Sequence, residues 1–148
     1  MTEADIETAD RLSRRRARLL PVMAIMFLSG QAIYALGPHW ASRSVDQLKV
    51  AAWLLWATAL LFLLATGGTP FRSRQVRALL DDETTRQHRA RAYAVGFWIA
   101  VVIAMGIYLL TAFDGVKPRE SIHIIVTAAI AGALLTFGIL EHRAHRDG

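Results

Sequence analysis

Histidines and carboxylates are the residues of this chain that could do chemistry, and their spacing decides how much. Histidines stand at positions 39, 88, 123, 142 and 145, and there is no cysteine. Without thiols, a disulfide framework, a thiolate metal site and a nucleophilic sulfur are all excluded. His39 and His123 would meet if the segments carrying them are neighbours, giving a two-ligand site for copper, zinc or haem. His142 and His145 are three residues apart, with Glu141 beside them, and His88 precedes a long apolar run. Haem held by two histidines between helices needs imidazoles well inside the apolar segments, whereas these lie near or beyond the segment ends. Neither a metal nor a cofactor is therefore expected. Nucleophile motifs and paired carboxylates are missing, and Gly67-Gly68-Thr69 lacks the lysine and spacing of a phosphate-binding loop. The expectation is a protein that is not an enzyme and has no catalytic residue.

The elements that must position these side chains are dominated by apolar residues. Hydrophobic residues make up 54% of the 148, charged residues only 20%, and mean hydropathy is +0.34. The apolar residues gather in four uncharged blocks, at 19–36, 50–66, 92–113 and 122–140. A hydrocarbon core about 30 Å thick needs roughly 20 apolar residues in a helix, with about 17 as the short limit. Backbone amides find no water partners in lipid, so such blocks must be helical. A cleaved signal peptide is a poor fit to the first block, because no small-x-small cleavage site with a long soluble remainder follows. The predicted fold is all-α: one integral-membrane domain over 1–148, a four-helix bundle with four spans. It carries a tail at 1–18, a long connection at 67–91 and a second tail at 141–148.

Charge bias gives the orientation. Arg11, Arg14, Arg15, Arg16 and Arg18 precede the first block, and Arg72, Arg74, Arg77, Arg86, Arg89 and Arg91 occupy the long connection. With Arg143 and Arg146 of the last tail, thirteen bases fall on one side, against Arg43, Lys49, Lys117 and Arg119 on the other. Basic loops stay in the cytoplasm. The expected location is thus a bacterial inner membrane, with both termini and the 67–91 connection cytoplasmic. Anionic lipid accounts for the basic face, so direct nucleic-acid binding is not expected.

Within the first tail, acids come before arginines, and Glu7–Arg11 and Asp10–Arg14 are acid-to-base pairs at i,i+4, the favourable order on a helix. This predicts an amphipathic helix leading into the first block, with Pro21 as a kink. In the connection, Gly67-Gly68 terminates the second helix. Thr69-Pro70 then starts a short helix in the headgroup plane, with Phe71, Val76, Leu79 and Leu80 on its apolar side. A new helix start follows at Asp81-Asp82-Glu83, and nothing breaks the helix between Thr84 and Phe113. The third span therefore extends into the cytoplasm.

Small residues recur every four positions in the third block (Ala92, Gly96, Ala100, Ala104) and the fourth (Ala128, Gly132, Thr136), where Ala129 and Ala133 lie beside them. Such faces let helices approach closely in lipid, either within the chain or across a homodimer seam. Trp40, Tyr93, Trp98 and Tyr108 lie near span ends, as aromatic-belt residues do. No Asp, Glu, Lys or Arg lies inside any block, which argues against proton-coupled or cation-exporting transport. The polar groups within the spans, Ser29, Gln31, Thr58 and Thr127, are expected to bond neighbouring helices.

Leu80-Asp81-Asp82-Glu83-Thr84-Thr85-Arg86, with His88-Arg89-Ala90-Arg91-Ala92 and Gly96-Phe97-Trp98, resembles a group of small four-span bacterial membrane proteins of unknown function. They share an acidic-Glu-x-x-Arg turn leading into the third span. Their genes often lie beside one for a small helix-turn-helix regulator, so the resemblance implies a regulatory protein partner. Taken together, the expected function is a regulatory or sequestering module that binds a soluble cytoplasmic partner through Asp81, Asp82, Glu83, Arg86, Arg89 and Arg91. The alternatives are an accessory subunit of a larger membrane complex and a small dimeric transporter. Membrane lipids are expected partners in every case.

Overall fold

The computed structural model of the chain describes residues 3–36, 43–67, 83–111 and 117–146, and all the regular structure among them is α-helical. The helices are α1 (Glu3–Leu36), α2 (Arg43–Ala65), α3 (Glu83–Leu110) and α4 (Pro118–Arg146). The interfacial helix expected at 70–80, with Asp81 and Asp82, lies outside the described residues.

Each helix starts or stops where local chemistry allows. α1 is continuous from the charged tail through the first apolar block, with Pro21 inside it. Gly67 follows the end of α2 with φ of 61°, a left-handed conformation that costs a glycine nothing, and its amide donates to the Leu64 carbonyl at 3.3 Å. α3 opens on Glu83, an acid in the first turn, where the macrodipole favours it. Pro118 opens α4, a position where its missing amide hydrogen is not needed. Lys117 reaches Glu120 at 3.4 Å across that first turn.

Among the described residues, three helices are long and apolar enough to cross a membrane, over Gln47–Ala65, Glu83–Leu110 and Pro118–Ala144. In α1 the apolar stretch among the described side chains is Ala17–Gln31, and the helix itself continues to Leu36. The described residues thus show three such helices where four spans, over 19–36, 50–66, 92–113 and 122–140, were expected. α2 and α4 in turn start before the apolar blocks read from sequence, since helical hydrogen bonding continues into their polar first turns.

α4 is the central helix. It packs most extensively on α3 and α1 and more lightly on α2. The buried core runs along it: Leu20, Ala24 and Phe27 from α1, Ala57, Leu60 and Leu64 from α2, Ala92 from α3, and Ile130, Ala133, Leu134 and Phe137 from α4. Spacings of three and four residues within each set place one face of each helix inward. Contacts fix the directions. Gln31 of α1 meets His123 near the start of α4, while Pro21 meets Gly138 nearer its end. Trp53 of α2 meets His123, whereas Ala65 at the end of α2 meets Arg89 of α3. His88 of α3 meets Glu141. Successive helices therefore alternate in direction. The outward faces stay apolar, with Trp98 and Phe97 each 63% exposed and Tyr108 77%. Contiguous apolar surface of this kind marks contact with lipid or protein.

Candidate functional site

Polar side chains gather at the two ends of α4. At the first end, His123 Nε2 hydrogen-bonds to the Gln31 side-chain carbonyl, so α1 and α4 are tied together there. The Trp53 indole stacks on the His123 ring with centroids 4.4 Å apart, and its Nε1–H donates to Thr127 Oγ1 at 3.2 Å. Trp53, His123, Lys49 and Arg119 line a cavity of about 340 Å³ between α2 and α4. Trp53 thus packs against α4. His39 lies outside the described residues, and His123 already has protein partners. Among the described residues no group of three or more His, Cys, Asp or Glu could hold a metal ion.

The other end holds the side chain that inspection of the apolar blocks missed. Glu141 is 3% exposed, the one buried charged side chain among the described residues, and its Oε1 accepts a hydrogen bond from His88 Nδ1 at 3.2 Å. His88 is itself 13% exposed. Carboxylates are almost never this buried unless paired, and the imidazole supplies the pairing. One helical turn separates Glu141 from Phe137, and another separates Phe137 from Leu134, so the acid continues the buried face of α4. That periodicity was the available signal. Beside the pair, Arg89 Nη1 donates to the Ala65 carbonyl at 3.2 Å, occupying an acceptor left over at the end of α2. The His88–Glu141 clasp and this cap draw the end of α2, the start of α3 and the end of α4 together.

No protein-family model, curated protein or solved structure matches the chain.

Of the residues proposed for partner binding, Glu83, Arg86 and Arg91 are exposed on the first turns of α3, and Arg89 is half-buried with its side chain turned toward α2. Gly96 and Gly132 lie where α3 meets α4. Gly96 is buried, and a Cβ there would sit 2.9 Å from the Ala129 carbonyl oxygen and 3.0 Å from the Ala133 Cβ. Ala100, Ala104, Ala128 and Gly132 are half-buried along the same two helices, and a Cβ at Gly132 would strike the Ile99 side chain. Thr136 Oγ1 donates to the Gly132 carbonyl within its own helix at 2.8 Å.

Proposed function

We propose that the chain is a four-span protein of a bacterial inner membrane, with both termini cytoplasmic. It works without catalysis, as a docking module for a soluble cytoplasmic protein. The observation that carries this reading is the convergence at the His88–Glu141 end. There the charged half of α1, the exposed Glu83, Arg86 and Arg91 of α3, and the last turns of α4 share one end of the molecule. Arginine excess at that end supports the cytoplasmic placement. α1 contributes to both roles: at 34 residues it is about 51 Å long, enough to cross a core of about 30 Å and still project beyond it. The resemblance around residues 80–98 supports a small helix-turn-helix regulator as the partner. Basic side chains at this end serve the headgroups and the partner, with no direct nucleic-acid contact.

A second reading, an accessory subunit of a larger membrane complex or a homodimer, is favoured by the exposed aromatic face of α3 at Phe97 and Trp98. One experiment separates the two. Reversing charge with Glu83→Arg and Arg86→Glu removes the exposed polar pattern of the first turn. A lost helix-terminal interaction costs about 1 kcal/mol, too little to unfold the protein. The soluble regulator should be recovered with the wild type and with a Lys49→Glu control at the opposite end, and be lost from the double variant at unchanged expression. Recovery of membrane proteins only, unchanged by charge reversal, would favour the accessory-subunit reading.

A further inference from the structure

The contact between α1 and α4 opens, at the end that holds Glu141, into a cleft graded from apolar to basic. At its inner limit the helices touch closely: a Cβ on Gly138 would lie 2.7 Å from Cδ and Cγ of the Pro21 ring. From there a space of about 470 Å³ widens between Ala17, Pro21 and Ile139 on its apolar part and Arg18, His142 and Arg143 on its polar part. Arg146 lines the same space, and an adjoining hollow adds Arg14. Bases thus come from two helices onto one opening. Glu141, the acid in this turn of α4, is buried toward His88 on α3 and does not line the cleft.

We propose that this cleft binds the phosphate headgroup of an anionic glycerophospholipid from the leaflet in which α1 begins and α4 ends. The guanidinium groups of Arg18 and Arg143 hold the phosphate with planar, multiply donating geometry. The acyl chain runs along the apolar side past Ile139, which is 47% exposed. The order of surfaces, bases outermost and apolar residues toward the middle of the helices, matches the order of groups in a phospholipid. Free phosphate would use only half of the cleft. Basic pockets between membrane helices on the cytoplasmic side are where acidic headgroups settle. The inference rests on the membrane reading given above and deepens it, from general attraction to one bound lipid that clamps α1 against α4.

The test is thermal unfolding of the full chain in mild detergent, with phosphatidylglycerol, phosphatidylcholine or inorganic phosphate added. Phosphatidylglycerol should raise the unfolding temperature of the wild type, and the other two should not. Each basic side chain at a membrane surface contributes roughly fivefold in affinity, so Arg18→Gln with Arg143→Gln should weaken the response roughly 25-fold. Arg18→Lys with Arg143→Lys should keep most of it. Lys49→Gln with Lys117→Gln, equal in charge change but at the opposite end of the molecule, should leave it intact. Equal stabilisation by phosphatidylcholine or by inorganic phosphate would overturn the proposal, as would equal weakening by the control pair. Because detergent carries no sidedness, the lipid site can fail or stand independently of the cytoplasmic assignment.

Discussion

Gly96→Leu is expected to lower the unfolding temperature in mild detergent by about 10 °C, corresponding to about 3 kcal/mol for a chain of this size. The cause is local. The missing Cβ of Gly96 would lie 2.9 Å from a backbone oxygen of α4, and a backbone cannot step aside as a side chain can. Where apolar side chains are equally at home in lipid, close approach of backbones holds helices together. Leucine at this point would force α3 and α4 apart along their whole contact. Gly132→Leu should cost less, because the atom it meets is the flexible end of Ile99. Gly106→Leu should cost almost nothing, since no atom lies within 4 Å of its Cβ position. Differential scanning of the three variants checks the order. Similar melting for Gly96→Leu and Gly106→Leu would show that the small-residue face is incidental.

The second large effect is expected at the buried clasp. Replacing either partner leaves the other inside the protein with a polar group deprived of its contact, at a cost of about 3 kcal/mol. His88→Leu should be the more damaging, because it takes a hydrogen bond away from a carboxylate that is 3% exposed. Replacing both partners by leucine removes the buried carboxylate as well as the bond, and apolar replacement of a whole buried pair is often close to neutral. The double variant should therefore be more stable than His88→Leu alone. Strict additivity of the two losses, measured by the same scan, would mean that His88 and Glu141 do not act as a unit.

Much of the helical layout was legible in the sequence because burial in lipid and burial in protein both demand apolar residues at helical length. The start of α3 at Glu83 and the end of α2 before Gly67 could be read from acids and glycines alone. The polar contacts could not, for two reasons. Glu141 lies one residue past the last apolar block, and counting uncharged residues assigns such a position to a solvent-exposed tail, whereas the helical face from Leu134 through Phe137 carries it inward. His123, Gln31 and Thr127 were each conspicuous singly, but which helices are neighbours is a property of the packed structure. Had α4 been known as the central helix, His123 and Thr127, four residues apart on it, would have pointed to a shared partner. The equivalence of Gly96 and Gly132 in the repeat also conceals a difference. One faces backbone and the other a side chain.

α1 is expected to cross the membrane as a fourth span, with the uncharged block at 19–36 following its arginine-rich start in one continuous helix. The chain contains no cysteine, so single substitutions report position without background. Labelling with a membrane-impermeant maleimide in intact and permeabilised cells is the direct measurement. Glu3→Cys, Ser73→Cys and Gly148→Cys should react only after permeabilisation, and Ser44→Cys and Gly115→Cys should react in intact cells. Reaction of Glu3→Cys and Ser44→Cys from the same side would contradict the account, leaving three spans with α1 lying against the surface.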